Sequence, residues 1–393
     1  MQSLSFVAVL SFACSAYATV ASTSYALPTY APTLLRNANA PFEAGTLNAS
    51  LTTSSVTDLG NLSDPSTPYT MYRDGGGACL LNNELIWFFC DTEIRGYENE
   101  VTAFVSNTAA VAVNPDKTGH VYDINWSDTD GLSHIIPFTS EEALYANDSS
   151  SRYALWTYTN CVPTSGARAV HIWEIVKFDS ETEYHTAGST MVTYDLDQST
   201  NVLTVTRDAQ YLTTEDEYAF GAFSSIRAGD YVYLFALDHT YSSSKDVHLA
   251  RAPLISVADT STWEYYDASD STWSDTKPEM TERRQSSAVI STSEKISSGN
   301  IVFSDYHDQY LLVFFNQYAD NKARVLTAPS PVGPWTTDNT VMWTSESGSA
   351  YNYGILTLPA NYDAGSQVGE NLLVGFSYQT DDGAYPKISR LTF

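Results

Sequence analysis

The sequence predicts an all-β fold, a five-bladed β-propeller, from three observations. Helical periodicity is almost absent along the chain. A strongly apolar strand, a short polar connection and a second strand recur together five times, roughly every 60 to 80 residues. Apolar residues make up 43% and aromatic residues 13% of the chain, so the protein can bury a large core.

The five strand pairs differ in sequence but share one layout, which is typical of a propeller or a repeat array. In a propeller each antiparallel sheet is covered on both faces, so its central strands are nearly unbroken apolar runs. A β-sandwich gives no reason for five similar pairs, and solenoid repeats are usually shorter. We therefore predict one domain over 66–393. The pairs are 85–92 with 101–111, 153–161 with 169–178, 230–238 with 246–254, 309–317 with 323–330, and 371–379 with 386–393.

The first 65 residues lack these pairs and divide into two parts. Residues 1–18 have no charged side chain, an apolar centre and a small-x-small ending at Ala16 and Ala18, which is typical of a secretory signal peptide. The apolar run is shorter than the ~20 residues of a transmembrane helix. Residues 19–65 are rich in Ser, Thr and Pro, and we expect them to lie along the surface and add one closing strand.

Four Asn-x-Ser/Thr tripeptides agree with an exported chain. Such tripeptides accept N-linked glycans on the surface of secreted proteins. We therefore predict a secreted, extracellular glycoprotein. The four asparagines are Asn48, Asn61, Asn125 and Asn147.

The charge of the chain excludes several classes of partner. The 393 residues include 46 acidic and 19 basic side chains, a formal net charge of −27 at pH 7. A chain this acidic does not bind phosphate backbones or anionic lipid by electrostatic attraction, and it repels acidic polymers. We expect a monomer that has neither a nucleic acid nor a membrane as partner.

Cysteine usage predicts one disulfide. Cys14 leaves with the signal peptide, and the remaining Cys79, Cys90 and Cys161 cannot all pair within one chain. An oxidising compartment favours one bridge and one buried thiol. Cys90 and Cys161 end two similar strand segments, so we predict a bridge between them.

Two aspartates lie where a propeller concentrates its polar residues, at the ends of strands that line the central channel. Asp74 follows Arg73 and precedes three glycines, which would let a ligand approach the backbone closely. Asp91 ends an apolar strand, and the turn at Asn82-Asn83 brings both acids to one mouth of the channel. Glycoside hydrolysis needs two such carboxyls, one protonated and one ionised. The sequence does not say which is which.

Each acid also has a plainer interpretation. Asp74 could be a solvated residue at the entry of a hairpin, and Asp91 a turn residue that bonds nearby amides. Glu217, at the start of the third repeat, is a candidate general acid or a solvated turn charge.

Further residues are candidates for substrate binding. Asp238 and His239 end another apolar strand and are expected to bind sugar hydroxyls. Trp173 and Tyr351 are aromatic and serve either as sugar platforms or as packing residues. No run of closely spaced acids and no zinc-like histidine spacing is present, so we predict neither a metal nor a cofactor.

The run RDGGGACLLNNELIWFFCDT, followed by SNTAAV, resembles the opening of a group of secreted five-bladed propellers labelled a domain of unknown function. Some members of that group are endo-D-arabinanases. VLTAPSPVGPW resembles a blade-closing turn of propeller glycosidases, and the likeness spans about 69–393. The resemblance implies catalytic or substrate-contacting roles for Asp74 and Asp91, with Arg73 beside them and Asn107 as a polar contact.

These observations lead to one expected function and two rivals. We expect a glycoside hydrolase that cleaves a neutral oligo- or polysaccharide with a pair of aspartates, and the resemblance implies an arabinan-type substrate. A lectin-like propeller that binds carbohydrate without cleaving it is the first alternative. A surface interaction protein is the second.

Overall fold

The structure is a computed structural model, and its fold is all-β. The described residues form 28 strands, one α-helix of six residues and two 3-10 turns. No helix in this part of the chain is long and apolar enough to span a membrane. The predicted signal peptide lies outside the described residues. These are 21–28, 40–96, 98–115, 117–127, 131–145, 151–180, 183–208, 211–238, 246–280, 287–316, 320–346, 348, 351–360 and 367–393.

The first sheet follows two separate strands, β1 (Ala21–Ala26) and β2 (Ser55–Asn61). Its hairpin turns at Asn82 and Asn83, which both have positive φ, as a two-residue hairpin turn requires. A two-stranded ribbon and the helix come after it. The sheet holds β3 (Thr70–Arg73), β4 (Gly76–Leu81), β5 (Glu84–Arg95), β6 (Val101–Ala112) and β7 (Val121–Asp123); the ribbon is β8 (Trp126–Ser127) with β9 (Gly131–Leu132), and the helix is α1 (Ser140–Tyr145).

Four further sheets follow in chain order. The second holds β10 (Arg152–Trp156), β11 (Val162–Pro163), β12 (Arg168–Phe178), β13 (Tyr184–Asp197), β14 (Val202–Arg207) and β15 (Thr213–Thr214). The third holds β16 (Ser224–Ala228), β17 (Tyr231–Leu237), β18 (Asp246–Pro253), β19 (Glu264–Asp267), β20 (Thr272–Ser274) and β21 (Ile290–Ser291), with the 3-10 turns Leu254–Ser256 and Thr260–Thr262. The fourth holds β22 (Ile296–Ser304), β23 (Gln309–Asn316), β24 (Lys322–Ala328) and β25 (Thr340–Thr344), and the fifth β26 (Tyr353–Ala360), β27 (Asn371–Gln379) and β28 (Ala384–Thr392).

The predicted strand pairs are confirmed as antiparallel pairs, one in each sheet. The N-terminal segment, however, adds two strands rather than the single strand predicted. β1 pairs with β14 at the edge of the second sheet, and β2 pairs with β28 in the fifth. Because β2 precedes the first sheet in sequence, this pairing joins the two ends of the repeat array.

Apolar clusters lie between neighbouring sheets. Phe88 of the first sheet packs edge-on against Trp173 of the second, with ring centroids 5.9 Å apart. Other clusters join the second sheet to the third, the third to the fourth, the fourth to the fifth and the fifth to the first. Every sheet is therefore covered on both sides, which explains the unbroken apolar strands and gives a propeller-like architecture.

One strand of each sheet, which we call its inner strand, contacts the inner strands of its two neighbours. The inner strands are β4, β11, β16, β22 and β26. Serine side chains of one inner strand accept hydrogen bonds from the backbone of the next. Ser298 Oγ accepts from the Ile355 N–H (3.1 Å), and Ser224 Oγ accepts from the Ile301 N–H (2.9 Å). These bonds satisfy backbone groups that no strand ladder pairs.

The predicted Cys90–Cys161 bridge is wrong, because Cys161 pairs with Cys79 and Cys90 is a buried thiol. Cys79 lies on inner strand β4, and the Cys161 N–H donates to the Ala78 carbonyl (2.9 Å) just before inner strand β11. The Cα atoms of the bridged residues are 5.1 Å apart. The two strand segments compared in the sequence are not equivalent, because Cys90 lies on the second strand of its sheet.

Candidate functional site

Asp74 and Asp91 face each other within the first sheet. Strand β3 ends at Arg73 and β4 begins at Gly76, and both pair with β5 in one continuous register. In the gap between them the Asp74 N–H donates to the Asp91 carbonyl (2.8 Å), and the Cys90 N–H donates to the Asp74 carbonyl (3.0 Å). Residues opposed in this way on antiparallel strands have Cβ atoms about 5 Å apart. The fold therefore places the two carboxyl groups as neighbours.

Asp74 lies in surroundings that favour its protonated form. The residue is partly exposed, yet its Oδ1 is buried without a hydrogen-bond partner. Burial raises the pKa of Asp74 to about 6, and the negative charge of Asp91 adds to the increase. Hydrogen bonds from the Tyr353 hydroxyl and the Gly75 N–H to the carboxyl oppose it. Near neutral pH this carboxyl can therefore both hold and release a proton.

Asp91 lies in the opposite kind of surroundings. Arg152, on β10 of the second sheet, places Nη2 2.9 Å from Asp91 Oδ2 and Nη1 3.5 Å from Oδ1. The guanidinium also lies over the rings of Phe178 and Phe104, 3.9 and 4.8 Å from their centroids. A cation held between two rings in this way compensates the charge of Asp91, which is 8% exposed.

Two of the three glycines after Asp74, Gly75 and Gly77, allow close packing against the second sheet rather than the approach of a ligand. Gly75 has φ +35°, and a Cβ there would lie 2.8 Å from the Tyr158 ring. A Cβ on Gly77 would lie 2.1 Å from the Thr159 carbonyl oxygen. The segment that carries Tyr158 therefore lies directly against the backbone beside Asp74, which corrects the prediction from sequence.

Glu174 is a third carboxylate near the pair, and sequence reasoning missed it. It lies on β12, is 6% exposed, and accepts a short hydrogen bond from Thr186 Oγ1. Its charge contributes to raising the pKa of both Cys90 and Tyr158, so it lies close to the thiol that precedes Asp91. The available signal was a lone carboxylate inside the apolar run AVHIWEIVKF.

Two residues predicted to contact substrate are buried instead. Arg73 is 1% exposed, forms an ion pair with Asp123, and stacks over Phe89 with 4.4 Å to the ring centroid. Asn107 is fully buried, and its Oδ1 accepts from the Ile136 N–H (2.7 Å). Side chains adjoining Asp74 and Asp91 in a strand point to the other face of the sheet, which explains why Arg73 cannot reach the site.

Glu217 and Trp173 also have structural roles. Glu217 pairs with Lys277 (2.7 Å) and accepts from the Thr214 N–H (2.9 Å), and these bonds hold its pKa below the usual value in spite of burial. A carboxylate stabilised in this way is a poor proton donor, so these bonds argue against Glu217 as the general acid. Trp173 is fully buried in the core and donates to the Tyr194 hydroxyl (3.0 Å), so it cannot stack on a sugar.

Three predicted contacts stay predictions. Asp238 follows β17 and is partly exposed, and Tyr351 is half-buried with its ring 6.4 Å from that of Tyr353. Neither side chain is fully buried. His239 lies outside the described residues.

The predicted glycosylation sites differ in their surroundings. Asn48 and Asn61 are exposed, as a glycosylated asparagine must be, and both stay predictions. The Asn125 side chain donates to Ser133 Oγ, so its nitrogen is engaged. Asn147 lies outside the described residues.

The chemistry available at this site is that of carboxyl and phenol groups. Among the described residues, no group of three or more His, Cys, Asp or Glu side chains is arranged to hold a metal ion. Asp74, Asp91 and Glu174 are the acids, and Tyr158 and Tyr353 are the phenols around them.

Comparison with known proteins identifies the fold. A protein of Bacteroides ovatus ATCC 8483, whose crystal structure is described as that of a putative hydrolase, is similar over 81% of this chain and 85% of its own, with a TM-score of 0.60 and 16% identity. Two further structures have lower TM-scores. A GH43_1 enzyme from Xanthomonas citri is 10% identical over 85% of this chain and 90% of its own, with a TM-score of 0.42. An exo-beta-1,3-galactanase from Phanerochaete chrysosporium is 12% identical over 85% of this chain and 64% of its own, with a TM-score of 0.45. No curated protein sequence matches the chain. Residues 73–386 match a family model, and the chain therefore belongs to the family described as Domain of unknown function (DUF5005).

Proposed function

We propose that this protein is a secreted glycoside hydrolase that cleaves a neutral glycan. One observation carries the proposal: two neighbouring carboxyl groups have surroundings that favour different protonation states. Burial keeps Asp74 protonated up to about pH 6, whereas the Arg152 cation compensates a charged Asp91. Pairs of carboxyls separated in this way divide the acid and base roles of glycosidases between them.

The pair suggests a division of labour. Asp74 donates its proton to the glycosidic oxygen of the leaving group as the C–O bond breaks. Asp91 remains ionised and stabilises the positive charge that develops at the anomeric carbon, either as nucleophile or as the base that activates water. Glu174 adds a third negative charge near Cys90, the residue that precedes Asp91.

We also propose that the propeller has five blades, one for each of the five sheets. The closed series of apolar clusters and the mutual contacts of the five inner strands support this count. The site would then lie at one end of the channel that the inner strands surround. A monomer is sufficient for this arrangement, because the candidate groups all come from one chain.

The substrate class rests on charge and on resemblance. The net charge of −27 opposes acidic polymers, which leaves neutral furanose or pyranose polysaccharides. The Asp74 to Asp91 motif resembles that of a group containing endo-D-arabinanases, so arabinan-type polymers are the first substrates to test. The name of the Bacteroides ovatus protein, a hydrolase, agrees with this class, although the likeness itself shows only the fold.

The experiment is a hydrolysis screen on neutral polysaccharides with matched variants. Asp74→Asn and Asp91→Asn should each lower turnover at least a hundredfold while the thermal unfolding curve stays cooperative. Asp230→Asn removes the same charge from an exposed turn and should leave turnover unchanged. Binding of a polymer by the wild type without any cleavage would favour the lectin-like alternative.

A further inference from the structure

Tyr353 connects the fifth sheet to the candidate acid in the first. It begins β26 and pairs with Ser377 on β27. The Gly75 N–H donates to Ser377 Oγ (2.9 Å), and the Tyr353 hydroxyl interacts with the Ser377 hydroxyl and with the Asp74 carboxyl. Tyr353 and Ser377 of the fifth sheet therefore meet Asp74 and Gly75 of the first.

The backbone is shaped to allow this contact. Gly354, which follows Tyr353, has φ +62°, and a Cβ there would lie 3.0 Å from the Gly75 Cα. A residue with a side chain at 354 would push β26 away from Asp74. The close approach of the two glycines therefore brings the Tyr353 hydroxyl within reach of the carboxyl.

Tyr353 can act only as a hydrogen-bond donor to Asp74. Burial raises the pKa of Tyr353 far above its usual value, and the nearby charge of Asp74 raises it further. A phenol that keeps its proton can donate to a carboxylate but cannot remove a proton from substrate. Its bond favours the ionised form of Asp74 and opposes the effect of burial.

We propose that Tyr353 is a positioning residue, held by Ser377, that orients the Asp74 carboxyl and sets how readily it gives up its proton. This inference rests on the proposed acid role of Asp74. Without the hydroxyl, Asp74 would hold its proton more tightly and would be a slower donor. The rival explanation is that Tyr353 only packs the fifth sheet against the first.

The test measures Asp74 directly and does not depend on activity. Carboxyl 13C NMR of protein labelled at aspartate gives the titration midpoint of Asp74, assigned by its loss in Asp74→Asn. In Tyr353→Phe we expect the midpoint to rise by about one pH unit, the size expected for a lost hydrogen bond to a charged group. Ser377→Ala should move it in the same direction by less. An unchanged midpoint in Tyr353→Phe overturns the proposal.

A matched control is available in the same sheet. Tyr385 on β28 also has its pKa raised by burial, and its hydroxyl hydrogen-bonds to Tyr72 rather than to Asp74. Tyr385→Phe should leave the titration midpoint of Asp74 unchanged. A shift in Tyr385→Phe equal to that in Tyr353→Phe would mean that any change in the fifth sheet alters the midpoint, which would overturn the proposal. If hydrolysis is found, the alkaline limb of kcat/KM should move with the NMR midpoint. A shifted midpoint without hydrolysis of any polymer would support the positioning role of Tyr353 and reject the proposed hydrolase activity.

Discussion

Arg152 on the second sheet bonds Asp91 on the first, with Nη2 and Oδ2 2.9 Å apart, between the rings of Phe178 and Phe104. Within the described part of the chain, Arg152 is the cation that pairs with Asp91. The site therefore depends on contact between two sheets, and the same contact makes Asp91 suitable as the ionised member of the pair.

Removal of this cation should impair the site more than the fold. In Arg152→Gln, Asp91 loses its compensating charge, and we expect turnover to fall at least tenfold with about 1 to 2 kcal/mol lost from the free energy of unfolding. Arg152→Lys should recover part of the turnover. Steady-state kinetics and urea unfolding measure the two effects.

Arg251 provides the control for this prediction. It pairs with Glu264 (2.8 Å) and lies over the rings of Tyr231 and Trp273, so it repeats the arrangement of Arg152 on the third sheet. Arg251→Gln should lower stability to a similar extent without changing turnover. Equal loss of turnover in both variants would contradict the role given to Arg152.

Turnover should depend on the protonation of Asp74. The pKa of Asp74 is raised to about 6, so the proton required of a general acid is lost as the pH rises through that value. We expect kcat/KM to fall tenfold per pH unit above about 6 on any polymer that is cleaved. A profile that is flat from pH 5 to 8 would remove Asp74 from the acid role.

The same residue should cost stability at neutral pH. In the unfolded chain the pKa of Asp74 is near the ordinary value of 3.8, whereas in the folded protein it is about 6. Stability is therefore lost as the pH rises between these two values. Asp74→Asn does not ionise, so it should be about 1 to 3 kcal/mol more stable than the wild type at pH 7 and similar to it at pH 4. Urea unfolding at both pH values tests this.

Arg73 should matter for stability and not for substrate. Its removal leaves Asp123 charged and buried, and Arg73→Met should lose about 3 to 5 kcal/mol of unfolding free energy. KM should stay unchanged at temperatures where the variant is folded. Arg168→Met, at an exposed position, should change neither quantity. A raised KM without loss of stability would restore Arg73 as a substrate contact.

The disulfide should join the first two sheets. Peptide mapping without reductant should recover Cys79 linked to Cys161, with Cys90 alkylated only after unfolding. Cys79→Ala should lower the free energy of unfolding by about 2 to 4 kcal/mol, because the bridge closes a long loop in the unfolded chain. Recovery of a peptide linked through Cys90 would contradict the structure.

Several features of the fold followed from local sequence. Apolar runs such as 309–317 determine which segments become strands, because burial on both faces of a sheet requires unbroken apolar side chains. The Asn82-Asn83 turn fixes the β4–β5 hairpin, and the hairpin fixes the opposition of Asp74 and Asp91. Both acids lie within 18 residues of each other, counted inclusively from 74 to 91, so no long-range packing was needed to bring them together.

The errors arose where position in the sheet decides the role of a residue. Cys90 and Cys161 end similar apolar runs, but Cys161 immediately precedes inner strand β11, whereas Cys90 lies on β5, the second strand of its sheet. Trp173 and Glu174 are adjacent in one strand and point to opposite faces, so the aromatic residue lies in the core and the acid lies near the site. Alternation of this kind is invisible where a strand is apolar on both faces.

By itself the sequence determined that the chain forms repeated antiparallel sheets and that two aspartates face each other across one hairpin, because both depend on neighbouring residues. Only the tertiary structure decided which groups surround those aspartates. Arg152 comes from the second sheet and Tyr353 from the fifth, and their contacts with Asp91 and Asp74 exist only when the sheets are packed side by side. Protonation of a carboxyl depends on burial and on nearby charges, and in this protein both are supplied from distant parts of the chain.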